Sequence, residues 1–460
     1  MRMNGIYGPG RPLRSVHITN YYHEFSGGVK SNYDKLLRAA DRHRRYVSLI
    51  VPGDHDHFER VGEFGKIYYI KARQAPIFDK RYRMILPNQY MPGDSAVRKV
   101  LLEEMPEIVE IYDNYALTLL AGITRTGHFK ELGRPMFVYF TGERFDTIFK
   151  SFVAGGRFGG WFSRRLLSNF NLPMFDYYIA NSEFVASELL TAFRKRNNPH
   201  RSDWFYNKCT SFFQARTEPL EERLAICPRG VNTRQFSPSR RSAETRRRIC
   251  EAAGVPAEST IAFSSTRLSP EKNVRLLPEI MSVLAEDREY DFRMLIAGAG
   301  PEEEKLREQA ERFPGKIILL GHLDKSTLAD HYANVDVFLH PNPREPFGNV
   351  GLEAMASGAA CVVPNSGGVL TYANERNAWL VDADRESFAA AIKEAVSDDS
   401  LRRSKSENAV ETAFHNSDDA AIDLLFSTYD RMYRSFTSSE DWSSTRPDVA
   451  ANVELAPRHS

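Results

Sequence analysis

The chain has 460 residues, 42% of them hydrophobic and 26% charged, with a formal net charge of +1. That length exceeds one ordinary core and points to two domains or more. The neutral balance gives no global attraction to nucleic acid or anionic lipid, so no nucleic-acid partner is expected and any lipid contact needs a local patch. Cys209, Cys227, Cys250 and Cys361 are spaced too widely for a disulfide framework or a CxxC metal pair, which suggests a reducing compartment. The opening MRMNGIYGPGRPLR lacks the apolar core of a signal peptide, and no run nears the roughly 20 apolar residues that span a bilayer, so the expected location is cytoplasmic.

Taken in order, the first strand is expected over residues 15–19, followed by Gly27-Gly28-Val29 and a helical pattern, NYDKLLRAADRH. This strand, glycine turn and helix unit lets backbone approach a ligand closely at Gly28, or forms only a tight turn. Further strands are expected over 46–51, 66–70, 108–112, 136–140 and 177–181, with helices over 95–105 and 182–194 among them. Periodicity fails across 197–222, which reads as a long surface excursion. Residues 224–227 then lead into PRGVNTRQFSPSRR, a turn-rich boundary. A second series follows, with strands over 261–264, 292–297, 316–320, 335–340, 360–363 and 379–381. Its helices span 273–286, 302–312, 325–334, 350–357 and 385–397. Strands alternating with helices predict parallel sheets covered on both faces, hence an α/β fold with two Rossmann-like domains. A last helix over 420–436 precedes a tail too poor in apolar residues to fold alone.

The second series contains HPNPREPFGNVGLEAMASG from His340, with a glycine before a helix start and two carboxylates, Glu345 and Glu353, eight positions apart. If the helix starts near Asn349, the free N–H groups of Gly348, Asn349 and Val350 point out of its first turn, where the dipole also favours an anion such as a diphosphate. Glu353 lies one turn inside and Glu345 in the loop before it, so the two carboxylates address opposite ends of a ligand whose phosphates rest on the helix tip. A nucleotide sugar has that shape.

Four segments occur in one order: TRLSPEKN from Thr266, LIAGAGP from Leu295, EPFGNVGLEAMASG from Glu345 and PNSGG from Pro364. With these the second domain resembles the retaining GT-B glycosyltransferases, of the family 4, or glycosyl transferases group 1, type. The first domain matches more loosely through GGV, NSEFVASEL from Asn181 and PRGVNTRQFSP from Pro228. The resemblance implies two Rossmann-like domains facing a central cleft, with a C-terminal helix crossing back to the first. The expected division is an acceptor-binding domain over 1–235 with the crossing helix over 417–436, a donor-binding domain over 236–416, and a disordered tail over 437–460.

Carried over residue by residue, the resemblance implies that Arg267 and Lys272 meet the diphosphate and offset the charge of the leaving group. Glu353 accepts from ribose hydroxyls and Glu345 from the sugar near the reacting carbon; Phe347, Gly348, Asn349 and Val350 line the donor site. Gly298 and Gly300 shape the nucleobase wall or form an ordinary turn. The bland readings are a solvated Lys272 at a helix start and carboxylates in solvent. The implied reaction moves a hexose from a UDP- or GDP-sugar to a hydroxyl acceptor of a glycan or lipid-linked kind, with retention by front-face displacement. It requires no metal and no cofactor beyond the donor itself. The Asp54-His55-Asp56 run imitates a metal motif but falls in the loop expected after Val51-Pro52-Gly53.

Two departures stand out. Many relatives carry a histidine after the strand over 136–140, where this chain reads Thr141-Gly142-Glu143-Arg144: Thr141 or Gly142 is its nearest equivalent, and Glu143 is the candidate to supply the polar contact instead; and the Gly367-Gly368 pair is followed by Val369-Leu370-Thr371 without the glutamate that relatives often have. Residues 149–170 mix aromatics with Lys150, Arg157, Arg164 and Arg165, a pattern of either a core helix or a peripheral membrane element. His17, His23, His322, His331 and His340 show no ligand spacing and read as structural. The competing classes are a noncatalytic nucleotide-sugar-binding subunit and a GT-B epimerase or phosphorylase.

Overall fold

The structure is a computed structural model that describes residues 12–23, 28–74, 82–113, 116–144, 165–194 and 203–438. The chain divides into two compact units, one of residues 1–180, 186–227 and 422–460, the other of 181–185 and 228–421. Apart from residues 181–185, the second unit runs from Pro228, where proline and glycine interrupt the strand pattern, to Ala421.

In the first unit eight strands form one sheet. They are β1 (Arg14–Thr19), β2 (Tyr46–Gly53), β3 (His57–Val61), β4 (Gly65–Lys71), β7 (Ile108–Tyr112), β8 (Met136–Thr141), β9 (Tyr177–Ala180) and β10 (Leu224–Ile226); two short strands, β5 (Arg73–Gln74) and β6 (Arg83–Met84), pair separately. The order is β10-β9-β8-β7-β1-β2-β4-β3, parallel except for β3 against β4. Side chains alternate between two cores: in β2, Val47, Leu49 and Val51 enter one and Ile50 the other. A strand buried on both faces therefore reads as a continuous apolar run. The edge strand β3 exposes Phe58, Glu59 and Arg60, which hid it in the sequence.

The second unit has six parallel strands: β11 (Thr260–Ser265), β12 (Phe292–Ala297), β13 (Ile317–Gly321), β14 (Val337–Leu339), β15 (Ala360–Pro364) and β16 (Trp379–Val381). Their order is β13-β12-β11-β14-β15-β16. From β11 the chain first winds outward through β12 and β13, then returns to start β14 on the other side of β11. The loops after β11 and β14 therefore diverge, and a crevice opens at the carboxyl ends of these two neighbours.

Residues 197–222 are not structureless throughout: Asp203–Phe212 is a helix that buries Cys209, and Leu220–Arg223 is a short one. Within the second unit two helices escaped the periodicity analysis. Asp399–His415 buries only Ala409 and Ala413, too small to raise an apolar stripe, and Ala243–Ala253 is set by its ends, with Ser242 accepting from Thr245 N and Gly254 left-handed. The final helix, Asp418–Ser438, contributes Ile422, Leu425, Phe426, Tyr429, Met432 and Phe436 to the first unit's core. Of the sequence expectations, Gly27, residues 149–164 and the tail from 439 lie outside the described residues. All four cysteines are free and buried.

Candidate donor site in the second unit

The crevice between β11 and β14 is built by the loops that leave them. After β11, Pro270–Lys272 makes one turn of 3-10 helix that ends on Asn273, a left-handed residue whose Nδ2 donates to Pro341 O at 2.9 Å. The loop after β14 is thereby tied to the loop after β11. On its other side Gly368 N donates to Glu345 O at 2.6 Å and Ser366 Oγ to Pro343 O at 3.2 Å. The backbone of residues 341–348 is thus held from both flanks.

Glu345 stands at the centre of that loop and is buried. Lys272 Nζ donates to both its oxygens at 2.9 Å, and Asn342 Nδ2 donates to Oε2, also at 2.9 Å. His340 follows β14 directly; its ring is 2% exposed, with Nε2 3.5 Å from Glu345 Oε2. Burial opposes the charged carboxylate, but Lys272 and His340 outweigh it and hold the acid well below the usual carboxylate range. Glu345 is therefore an anion at neutral pH, and acts by accepting hydrogen bonds rather than as a proton donor.

The helix Asn349–Ala356 starts as the sequence implied. Gly348 precedes it at φ +84°, and a Cβ there would lie 2.9 Å from Val369 Cγ1, so both backbone and space demand glycine. Tyr372 donates from its hydroxyl to Gly348 O at 2.5 Å, pinning the turn from below. Asn349 Oδ1 is buried with no hydrogen-bond partner among the described residues. The Phe347 ring is buried in the core, edge-on to Tyr372 at 5.3 Å, and anchors the loop. Glu353 is half-buried, and its charge adds to the effect of burial in pushing the Tyr332 hydroxyl well above the ordinary range.

The cations differ from each other. Arg267 is largely exposed and donates to Glu271 Oε1 at 2.6 Å, whereas Lys272 is committed to Glu345. Gly298 does what close packing requires: a Cβ there would sit 1.8 Å from Thr266 O, so the loop after β12 lies directly on the loop after β11. The structure thus gathers Arg267, Lys272, Gly298, Glu345, Phe347, Gly348, Asn349, Val350 and Glu353 on the carboxyl-end loops of one unit. Gly28 and Glu143 belong to the other. Gly28 is the first residue of the helix Gly28–His43; Glu143, after β8, is exposed, and its carbonyl accepts from Thr141 Oγ1 at 2.8 Å.

Sequence reasoning missed the direct pairing of Lys272 with Glu345, because the residues are far apart in the chain and meet only through the adjacency of β11 and β14. It also missed Asn342, His340 and Tyr372. The signal for the first two was their place within the stretch already singled out.

A parallel sheet in this strand order, carrying an anionic carboxylate, a lysine and a helix tip at its switch point, defines a nucleotide-binding α/β enzyme. The model of the family described as glycosyl transferases group 1 matches residues 245–412. A GDP-mannose-dependent alpha-mannosyltransferase of Corynebacterium glutamicum is 33% identical over 401 residues, covering 85% of this chain and 82% of its own. The Mycobacterium tuberculosis GDP-mannose-dependent alpha-(1-6)-phosphatidylinositol dimannoside mannosyltransferase is 25% identical over 84% of this chain and 88% of its own. Among solved structures, a glycosyltransferase from Rickettsia africae aligns with a TM-score of 0.64 at 17% identity, covering 93% of this chain and 100% of its own. The Anabaena protein HepE in complex with UDP also gives 0.64, at 16% identity, over 91% of this chain and 100% of its own. The chain belongs to the glycosyl transferases group 1 family, with the GT-B type of fold. It is a glycosyltransferase acting through a nucleotide-activated sugar.

Proposed function

We propose that the chain moves a hexose from a nucleoside diphosphate sugar to a hydroxyl of a glycan or glycolipid acceptor, with retention of anomeric configuration, and that GDP-mannose is the donor. The observation that carries this reading is the anionic Glu345 held by Lys272 beside the tip of Asn349–Ala356. It is supported by the GDP-mannose dependence of the two mannosyltransferase relatives. In this reading the N–H groups of Gly348 to Val350, with Lys272 and Arg267, receive the diphosphate, Glu353 the ribose and Glu345 the sugar.

The step follows from those charges. The acceptor hydroxyl attacks the anomeric carbon on the face the diphosphate leaves; the carbon–oxygen bond to phosphate breaks, the new glycosidic bond forms, and the acceptor proton passes to the departing phosphate oxygen. Positioning and charge stabilisation supply the acceleration. Lysine, arginine and the helix tip serve as the cationic partners of the diphosphate, so turnover is expected to survive EDTA.

The acceptor is a glycolipid in this reading, supported by the phosphatidylinositol dimannoside in the name of the mycobacterial relative. No helix among the described residues is long and apolar enough to cross a membrane, so such an acceptor would be met by peripheral contact. The helix Asp203–Phe212 offers one: Trp204, Lys208 and Phe212 form an outward stripe at i, i+4 and i+8, with Trp204 70% and Phe212 66% exposed. The test is a panel of GDP-mannose, UDP-glucose and related donors with phosphatidylinositol mannoside acceptors, following product and its anomeric configuration by NMR. Transfer from GDP-mannose with retention is expected. Inversion would remove the front-face mechanism, and folded protein that uses no donor would remove the whole reading.

A further inference from the structure

We propose that His340 is a positioning residue for the transfer step: it takes hold of Glu345 when the donor diphosphate draws Lys272 away. The inference rests on the donor-site reading above and deepens it. Neither nitrogen of the buried His340 ring completes a hydrogen bond among the described residues. Its main-chain N–H donates to Val362 O at 3.1 Å, which ties the residue's backbone to β15, and the ring itself is 2% exposed. A buried donor left unmet is costly, and such a group in a folded site calls for a state in which it is met.

The geometry points to that state. Lys272 is shared between both oxygens of Glu345, and a diphosphate is the stronger partner for its ammonium. Once Lys272 turns to phosphate, Glu345 retains Asn342 on Oε2 and loses its donor on Oε1. His340 Nε2 lies 3.5 Å from that same Oε2, and a closure of a few tenths of an ångström makes a charge-assisted bond. Asn342 and His340 then hold Oε2 together, and Oε1 is the oxygen freed for a sugar hydroxyl. His340 touches no substrate; it keeps the carboxylate ionised and aimed while the cation works elsewhere.

The experiment is a double-mutant cycle on the full chain with the donor that the panel identifies. His340→Leu is expected to lower kcat by about 10- to 50-fold with the donor KM changed less than about threefold, because the diphosphate contacts remain. His340→Gln, whose amide can present an N–H near the Nε2 position, is expected to recover to within about fivefold of the original kcat. In a Glu345→Gln background, His340→Leu should cost less than about twofold more, since the group it acts through is already neutral. Equal losses for Leu and Gln, a loss confined to KM, or a full further loss in the Glu345→Gln background would overturn the proposal. If His340→Leu does not fold, His340→Asn, one bond shorter than glutamine, replaces it in the same cycle with the same expectations. An active enzyme with an additive cycle defeats this inference alone, whereas a folded chain that uses no donor defeats the underlying reading and this inference with it.

Discussion

Asp176 and Glu345 are both buried carboxylates held by cations, one in each unit, at opposite ends of parallel strands. Asp176 precedes β9. Its Oδ1 accepts from Arg125 and Arg134 at 2.7 Å each, and its Oδ2 from Arg134 and Phe137 N at 2.9 Å. Burial opposes the charge, but the two guanidiniums overcome it and keep the acid well below its usual range. Arg125 is lowered to about 10 by its own burial, against the pull of Asp176, and so remains charged at neutral pH. Glu345 follows β14, at the carboxyl end. Beside it both ring nitrogens of His340, and Oδ1 of Asn349 at the helix start, are buried with no partner among the described residues. The same device, a desolvated carboxylate with cations, serves two ends. At Asp176 it closes an arginine cluster at the start of a strand; at Glu345 it lies in the carboxyl-end crevice to which the proposed function assigns the donor.

This contrast can be broken by substitution. Asp176→Ala leaves two guanidiniums uncompensated beneath the sheet and should cost about 3–5 kcal/mol of stability, seen as a large fall in Tm. A variant whose Tm stayed within about 2 °C of the original would show that the cluster is not structural. Glu345→Gln removes one charge from a more open setting, so its Tm should move far less. Its kcat should fall by about 10²–10³, the scale on which a preorganised polar contact at a reacting centre acts. Comparable turnover in Glu345→Gln and the original chain would make the Lys272–Glu345 pair a structural feature like its counterpart.

Acid titration sharpens the same comparison. The folded pKa of Asp176 lies below its unfolded value, so its contribution is full above the ordinary aspartate range and is lost as the pH falls toward the folded value. Denaturation midpoints should decline from about pH 4 downward, where the unfolded chain begins to take up protons that the native state refuses. Asp176→Asn should be less stable throughout and flatter over that window. Equal slopes for the two proteins would mean that other carboxylates carry the acid sensitivity.

The scaffold was legible because both sheets are doubly covered: apolar runs such as YVSLIV in β2 and FRMLIA in β12 announce themselves. The donor loop was legible because glycine, proline and carboxylates punctuate it in one stretch. What escaped falls into two kinds. Elements whose buried face is made of alanines, as in Asp399–His415, or whose strand is an exposed edge, as in β3, carry little hydrophobic contrast. Contacts such as Lys272–Glu345 and Asp176–Arg125 depend on strand adjacency, which periodicity does not encode. His340 was read as structural for want of ligand spacing, yet its significance lies in the contrast between a buried ring and its unmet nitrogens.

The smallest expected effect concerns the contact with the lipid acceptor proposed above. The exposed stripe of Trp204, Lys208 and Phe212 pairs two aromatic rings with a cation, a combination suited to the headgroup boundary of an anionic bilayer. Each ring buried there is worth about 1.5–3 kcal/mol, so Trp204→Ser or Phe212→Ser should weaken co-sedimentation with phosphatidylinositol-containing vesicles by roughly 10-fold or more. Neither residue is among those assigned to the donor or the reaction, so turnover of a water-soluble acceptor should be unchanged while turnover of a vesicle-bound one falls. If both substitutions leave vesicle binding intact, the exposed aromatics are not the membrane contact. A fall in turnover with both acceptors would instead tie the helix to the chemistry, erasing the separation between an outer surface that finds the acceptor and a buried carboxylate that acts on the sugar.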